Sequence, residues 1–184
     1  ALKPGEVQLL NLAAGLAVKE TLRELCGIPA ELKWPNDILC RGRKLCGILS
    51  EASGEPDRIY YAVTGIGINV NMESADIPDD ISAVATSVCI ESGRQFARWK
   101  LLVEFLDRFA GFMCLLTSRG GAAKLLALYR TSCDTIGKDI RVMQDEEVFN
   151  GRATDITPEG ALVVQTGEGE KIFAAADVHH LRMA

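Results

Sequence analysis

Residues 30–71 read AELKWPNDILCRGRKLCGILSEASGEPDRIYYAVTGIGINVN, and their pattern predicts a run of β-strands. Residues 31–34 form a short extended piece, because the proline that follows disfavours helical backbone in the residue before it. Residues 38–51 place Gly42 between two apolar runs, which predicts a hairpin. Residues 59–70 are apolar and rich in β-branched side chains, so they predict a buried strand.

Helices are predicted on both sides of these strands. Residues 6–26 repeat apolar side chains at three- and four-residue spacing, and Gly27 is a natural end for that helix. Residues 95–117 show the same spacing over a longer helix, and a shorter one follows over 122–132. A run of strands with helices before and after it predicts an α+β fold.

After Cys133 the pattern changes to short apolar runs that are separated by tight, polar turns. Such a pattern is typical of a small β-barrel. We predict its strands at residues 138–142, 148–154, 161–165 and 171–174. The chain is therefore predicted to have two domains, 1–133 and 134–184.

Composition narrows the functional classes. The 184 residues are 48% hydrophobic, which is enough for a buried core, and no apolar run has the length of a membrane span. None of the six cysteines forms a C-x-x-C pair, so no zinc site is predicted, and unpaired cysteines are typical of the reducing cytoplasm. From Asp134 onward ten acidic and five basic residues account for the whole net charge of −5. Nucleic-acid-binding domains are usually basic, so no nucleic-acid partner is predicted for this chain.

Two short strings combine cations with residues that form turns. Lys33-Trp34-Pro35-Asn36-Asp37 lies where a strand meets a turn, and ordinary turn chemistry explains its proline, amide and carboxylate equally well. Arg43-Lys44-Leu45 brings a lysine into an apolar strand. That lysine either keeps its charge in solvent at a strand edge or points it into a pocket, where it suits an anionic substrate.

A third string, Gly65-Ile66-Gly67-Ile68-Asn69-Val70-Asn71, begins like a dinucleotide-binding fingerprint. Position 70 is valine, however, so the third glycine of that fingerprint is missing, and the sequence has no phosphate-binding P-loop motif. Two glycines in a strand instead let a flat ligand approach the backbone. An asparagine amide beside them can hydrogen-bond the edge of a purine.

In this order and within forty residues, the strings K-W-P-N-D, R-K-L-x-G-I-L and G-I-G-I-N-V-N resemble the biotin protein ligase family. The resemblance extends over essentially the whole chain and includes Ala85-Thr86-Ser87. It implies a mixed β-sheet with flanking helices, similar to class II aminoacyl-tRNA synthetases, followed by a small SH3-like β-barrel.

The same resemblance implies an ATP-dependent, AMP-forming ligase. Biotin is activated with ATP and Mg²⁺ to biotinyl-5′-AMP, and is then transferred to a lysine of a biotin carboxyl carrier protein. Lys44 matches the family's catalytic lysine, and Lys44 and Gly47 are assigned to substrate binding. Asp37 matches an aspartate that orients Mg²⁺ or helps to deprotonate the incoming amine. Nucleotide binding is assigned to Lys33, Trp34, Asn36, Asn69 and Arg182, with core packing as an alternative for Trp34.

The family also carries a Gly/Arg-rich loop, G-R-G-R-x-[GR], upstream of the first helix, and this chain begins after that loop. We therefore expect residues 1–184 alone to lack ligase activity and to self-associate, as a homodimer for example, through an exposed sheet face. One alternative is a catalytically incomplete piece that acts only in dimerisation or carrier docking. Another is a lipoate-type ligase, and a biotin-linked repressor would need a DNA-binding domain that this sequence does not show.

Overall fold

The computed structural model describes residues 7–55 and 58–181, which form two antiparallel sheets with helices packed beside them. The first sheet has the strand order β1-β2-β3-β4 and the second has the order β8-β7-β6-β5-β9. The helices are α1 (Gln8–Cys26), α2 (Val88–Ser92), α3 (Arg98–Thr117) and α4 (Gly121–Ser132), with a 3₁₀ turn at Ser74–Asp76. The strands are β1 (Ala30–Lys33), β2 (Asp37–Cys40), β3 (Arg43–Glu55), β4 (Arg58–Ile68), β5 (Asp139–Gln144), β6 (Glu147–Ile156), β7 (Leu162–Thr166), β8 (Gly169–Phe173) and β9 (Asp177–His180).

The predicted helices are confirmed, and α1 shows why the sequence pattern was informative. Its apolar residues are buried against α3, α4 and the first sheet. The helix ends at Gly27, whose φ of 67° is a left-handed conformation that glycine adopts without a Cβ clash. The short helix α2 was not predicted, since five residues are too few to show a helical repeat.

The hairpin at Gly42 is confirmed, but the prediction of a mixed sheet was wrong. Every pairing between neighbouring strands of the first sheet is antiparallel. Within the described residues, parallel pairing is limited to two isolated bridges, Leu32 to Cys133 and Lys44 to Ala85. The strands are antiparallel because no more than three residues separate one strand from the next, whereas parallel neighbours need long crossovers.

The prediction that residues 59–70 form a buried strand was also wrong. Tyr61 and Val63 on β4 are 62% and 61% exposed, and Leu49 on β3 is 61% exposed. The reason is a difference in strand length. β2 pairs only with residues 43–47 of β3, so in the described chain the far part of the β3–β4 ribbon has no third strand.

The second sheet contains the four strands that were predicted, together with β9, which was missed. β8 and β9 are the two outer strands and do not pair with each other in the described residues, so the ladder is open rather than a closed barrel. Apolar residues of both sheets belong to one continuous core. All six cysteines are free, and four of them are buried, as expected for small core residues.

Among the helices of the described residues, none has the length and apolar character that a membrane crossing requires.

Candidate active site

One row of residues crosses all four strands of the first sheet. Lys33 pairs with Asp37, Asp37 with Gly47, and Gly47 with Gly67. Directly paired residues project from the same face of a sheet, so the row places a cation and a carboxylate beside two positions that have no side chain. The two glycines therefore leave a shallow floor next to a charged pair.

A β-bulge brings Lys44 to the same face as this row. In a regular strand, residues 44 and 47 would point to opposite faces, because they differ by an odd number. The register of β2 against β3 shifts between Ile38 and Leu39, however, so that Lys44 lies opposite Leu39 while Gly47 lies opposite Asp37. The extra residue of the bulge reverses the alternation and aims Lys44 at the row.

Asp37 is held between two lysines. Its Oδ2 accepts a hydrogen bond from Lys33 Nζ at 3.2 Å, and its Oδ1 lies 2.5 Å from Lys44 Nζ. This second approach has ion-pair distance without hydrogen-bond geometry, so Oδ1 has no hydrogen-bond partner. Asp37 is 13% exposed, whereas Lys44 is 51% exposed. The lysine can therefore reach an incoming anion, while the aspartate stays fixed behind it.

Residues 84–88, which we call the bracing segment, form backbone hydrogen bonds that fix Lys44 and Asn69. Lys44 N donates to Val84 O at 2.7 Å, and Thr86 N donates to Lys44 O at 2.9 Å. Asn69 Nδ2 donates to Thr86 O at 3.0 Å, and Val88 N donates to Asn69 O at 2.8 Å. Two residues that are 25 positions apart in sequence are thus fixed by one short segment.

Glu91 anchors the bracing segment to the hairpin turn. Its carboxylate is 2% exposed and accepts from Thr86 Oγ1 and Arg43 Nη2, each at 2.6 Å, and from Cys40 Sγ at 3.3 Å. Burial alone would raise the pKa of Glu91, but hydrogen bonds from Thr86 and Cys40 and the charge of Arg43 outweigh it and lower this pKa. Glu91 is therefore a buried anion with its hydrogen-bonding capacity in use.

Two cavities open on either side of Lys44. The smaller one, of about 220 Å³, has the two glycines and Asn69 in its lining. The larger one, of about 580 Å³, lies between the two sheets, and its lining includes Lys33 and Asp37. Lys44 lines both cavities. A ligand group in either one can therefore be reached by the same ammonium.

Not every predicted site residue faces these cavities. Trp34 is fully buried, and its Nε1 donates to Gly160 O at 2.9 Å, so the predicted stacking on a nucleotide is replaced by core packing. Asn36 O accepts from Ile48 N at 2.8 Å, and the residue lines neither cavity. Arg182 lies outside the described residues.

Metal binding has one candidate residue here. The described residues contain no group of three or more histidine, cysteine, aspartate or glutamate side chains with the spacing of a metal site. Asp37 supplies a single carboxylate, whose Oδ1 lacks a hydrogen bond but lies 2.5 Å from Lys44 Nζ. Mg²⁺ in nucleotide sites is bound by one or two carboxylates together with substrate phosphates, so Asp37 would hold it only if Lys44 moved to a ligand.

Some residues of the site were missed by sequence reasoning. The adjacent apolar residues Leu45 and Cys46 are both buried, and such a pair in an alternating strand is the signal that would have indicated the bulge. Glu91 gave no signal, because a single glutamate beside a short helix does not differ in sequence from a solvated one.

Comparison with known proteins matches both halves of the chain. Residues 2–69 match the Biotin/lipoate A/B protein ligase family, and residues 135–181 match the Biotin protein ligase C terminal domain. The bifunctional ligase/repressor BirA of Bacillus spizizenii is 36% identical over 92% of this chain and 52% of its own length. The biotin–[acetyl-CoA-carboxylase] ligase of Mycobacterium tuberculosis is 36% identical over 94% of this chain and 62% of its own length.

Solved structures give the same match. The biotin protein ligase of Aquifex aeolicus in complex with biotin and ATP superposes with a TM-score of 0.82 at 26% identity, over 96% of this chain and 73% of that one. A mutant of the same enzyme in complex with biotin also gives 0.82, at 27% identity, over 98% of this chain and 76% of that one. The chain spans about half the length of the BirA protein that it matches.

Proposed function

This chain belongs to the biotin protein ligase family, and we propose that the protein containing it activates biotin with ATP and transfers it to a lysine of a biotin carrier protein. The observation that carries the proposal is the position of Lys44, which lines both cavities and has Asp37 behind it. Activation brings the biotin carboxylate and the α-phosphate together, and both are anionic. A lysine between the two ligand groups lowers the repulsion and stabilises the charge that develops.

The first half-reaction forms an acyl phosphate. A carboxylate oxygen of biotin attacks the α-phosphorus of ATP, and pyrophosphate leaves with the electron pair of the broken P–O bond. Lys44 contacts the carboxylate and the new acyl-phosphate oxygen, and Gly47 leaves the space that this contact needs. A Cβ at position 47 would lie 3.3 Å from Lys44 Cε and 3.4 Å from Nζ.

The second half-reaction transfers the acyl group. The carrier amine attacks the carbonyl carbon of biotinyl-5′-AMP, and AMP leaves. Asp37, which lies 2.5 Å from Lys44 Nζ, is the carboxylate that we assign to accept the proton that the amine loses. Mg²⁺ on Asp37 would neutralise phosphate charge in the first half-reaction.

The remaining assignments concern the nucleotide. Asn69 already donates its amide nitrogen to Thr86, so its carbonyl oxygen is the atom that would accept from the adenine amino group. Lys33, which lines the larger cavity, is assigned to the nucleotide, as is Asn36 although it lines neither cavity, and Arg182 is assigned to the triphosphate. We also propose the domains 1–133 and 134–184, the first with an architecture similar to class II aminoacyl-tRNA synthetases and the second formed by the open five-stranded sheet.

A labelling assay tests the function. The full-length natural protein that contains residues 1–184 is incubated with ATP, Mg²⁺, a biotin carrier domain and either biotin or lipoate, and the carrier is weighed by intact mass spectrometry. We expect biotin on a single carrier lysine, a loss of at least about 1,000-fold in Lys44→Ala, and wild-type labelling in Lys100→Ala, a lysine on α3.

The outcome separates the alternatives. Labelling with lipoate in place of biotin would support the lipoate-type ligase. A carrier that binds equally to wild type and Lys44→Ala, but is never labelled, would support a docking role alone. Equal labelling by wild type and Lys44→Ala would contradict the role assigned to Lys44.

For the partner surface, we propose that two copies associate through the exposed part of the β3–β4 ribbon. Leu49, Tyr61 and Val63 give it an apolar surface, and β4 is an outer strand of the sheet. Val63→Lys should shift the protein to monomer in sedimentation velocity. Ile172→Lys on β8, at a position that is 60% exposed, should not. Dimers that persist in Val63→Lys would place the interface elsewhere.

A further inference from the structure

The larger cavity contains a cation that the family motifs do not include. Three lysines line this cavity: Lys33 and Lys44 from the first sheet, and Lys138 from the residue before β5. Its acidic lining residues are Asp37 and Asp134. Three lysines and two aspartates leave one positive charge, so the cavity favours an anion.

Lys138 is placed beside the first sheet by residues 133–138, which we call the junction turn. Asp134 N donates to Leu32 O at 2.7 Å, so the turn is attached to β1 next to Lys33. Lys138 Nζ lies 2.5 Å from Asp134 Oδ2, and Lys138 is 43% exposed. The ammonium is thus held at the cavity wall and can still reach a ligand.

The electrostatics of His180 support this placement. Its Nε2 is 3.0 Å from Thr135 Oγ1 in the junction turn. Burial lowers the pKa of His180 to about 4, helped by the charges of Lys138 and Lys33 and opposed by that of Asp134. The two lysines, from different sheets, therefore act on one point of the cavity wall, and His180 is neutral there at pH 7.

We propose that Lys138, together with Lys33, binds the β- and γ-phosphates of ATP and the pyrophosphate that they become, in the cavity between the two sheets. This inference rests on the proposed function. Without ligand, Lys138 pairs with one carboxylate. A polyphosphate carries several negative charges, so it competes successfully with Asp134 for the ammonium. The second sheet thereby contributes to ATP binding and not to biotin binding.

Kinetics of three variants in the full-length natural protein test the inference. Lys138→Ala should raise the KM for ATP and the inhibition constant for inorganic pyrophosphate about tenfold, the loss expected for one charge-assisted contact. The KM for biotin and the rate of transfer from preformed biotinyl-5′-AMP should stay within about twofold of wild type, because neither uses the β- and γ-phosphates. Lys138→Arg should recover most of the ATP affinity, since it keeps the charge.

Lys171→Ala is the matched control. Lys171 also lies on the second sheet and also pairs with an acid close in sequence, Glu168 at 2.9 Å, but it does not line the cavity. It should leave the KM for ATP unchanged. Thermal unfolding of each variant shows whether the loss of the Lys138–Asp134 pair affects folding.

Two results would overturn the inference without affecting the proposed function. One is an active Lys138→Ala enzyme whose ATP and pyrophosphate constants equal those of wild type. The other is an equal loss in every constant, including transfer from the adenylate, which would indicate a structural role. If the wild-type protein forms no biotinyl-5′-AMP, the proposed function fails, and calorimetric titration of both proteins with Mg-pyrophosphate still tests the binding role of Lys138.

Discussion

The site needs a glycine at position 47, because the end of the Lys44 side chain occupies the space that a larger residue would fill. Gly47 lies between Asp37 and Gly67 in the row that crosses the first sheet. The nearest atoms to a Cβ at this position belong to the end of the Lys44 side chain, not to the backbone. Because that side chain is flexible, the fold can adapt to a larger residue, whereas the ion pair of Lys44 with Asp37 cannot stay unchanged.

We therefore predict that Gly47→Ala separates activity from stability. The free energy of unfolding should change by less than about 1 kcal/mol, and the rate of biotinyl-5′-AMP formation should fall at least about tenfold, equivalent to about 1.4 kcal/mol. Gly167→Ala, in the turn between β7 and β8, is the control, since a Cβ there would meet nothing within 4 Å. Normal adenylation by Gly47→Ala would show that Lys44 does not need this space.

A second prediction at the residue scale concerns the effect of His180 on the pH dependence of stability. Its pKa in the folded protein is about 4, lowered by burial first and then by Lys138, against about 6.5 when unfolded. As the pH falls through 6.5, the unfolded chain binds a proton that the folded chain refuses, so stability decreases until about pH 4. The total effect is on the order of 3 kcal/mol.

Replacement of His180 by glutamine should flatten this part of the pH dependence. We expect chemical unfolding of His180→Gln between pH 7 and 4 to show a smaller loss of stability than wild type. The exposed neighbour His179 provides the control variant His179→Gln, which should keep the wild-type slope. If His180→Gln and wild type lose stability in parallel, the histidine is not kept neutral by the fold.

Sequence reasoning identified some of these residues and not others, for physical reasons. Asp37, Lys44 and Asn69 stand in unusual strings on consecutive strands, and antiparallel pairing brings such strings together. Glu91 and Lys138 enter the site only through tertiary packing. Trp34 was assigned to both a ligand and the core, and only its 0% exposure decides between them.

At the scale of elements, the bracing segment and α2 fix the position of Lys44 at the edge of β3, as a neighbouring strand would. The isolated parallel bridge between Lys44 and Ala85 extends the pairing of β3 beyond the regular sheet. Glu91, on α2, then fixes this segment to Arg43 at the hairpin turn. The short helix α2, through the buried carboxylate of Glu91, thereby fixes the position of Lys44.

Glu91→Gln should accordingly destabilise the fold, and the loss should depend on pH. Loss of the negative charge leaves Arg43 without its carboxylate partner, which costs about 1–3 kcal/mol in the free energy of unfolding. Because hydrogen bonds and Arg43 hold the pKa of Glu91 low against the effect of burial, the wild type's advantage should be present at neutral pH. It should begin to decrease below the pKa of an ordinary glutamate, about 4.3, and be lost as the pH falls through the lower pKa of the folded protein.

Urea unfolding at pH 7 and at pH 3.5 measures both effects. Glu24→Gln is the control. Glu24 pairs with Arg23, and the two side chains are 49% and 63% exposed, respectively, so this pair should contribute less than about 1 kcal/mol to the free energy of unfolding. A Glu91→Gln protein as stable as the control at pH 7 would show that the carboxylate does not hold the bracing segment.

Element type was more predictable than element environment. Helical spacing and turn residues located α1, α3, α4 and most strands, because these signals are local. The exposure of β4 was not predictable from its apolar composition, since it depends on the length of β2, two strands away. The strand β9 was missed because its four residues include two adjacent histidines, which lack the apolar alternation of a strand.

At the scale of the molecule, one buried tryptophan adds two hydrogen bonds to the shared core and the Asp134–Leu32 contact that join the two sheets. Trp34 N donates to Thr135 Oγ1 at 3.0 Å, and Trp34 Nε1 donates to Gly160 O at 2.9 Å. Trp34 therefore contacts the junction turn through its backbone N–H and the turn before β7 through its side chain. The cavity between the sheets depends on this joint, because its walls come from both sides.

We predict that Trp34→Phe loosens the joint more than it disturbs either sheet. Phenylalanine lacks the indole N–H, so Gly160 O loses its donor in a buried place, at a cost of about 1–3 kcal/mol. Trp99→Phe is the control, because Trp99 on α3 is 64% exposed and its replacement should change stability by less than about 0.5 kcal/mol. Urea unfolding gives both values.

Since the lysines of the cavity come from both sheets, the KM for ATP should also rise in Trp34→Phe and not in Trp99→Phe. Equal stability and equal ATP constants in the two variants would mean that the sheets are held together by the rest of the shared core and do not need this hydrogen bond.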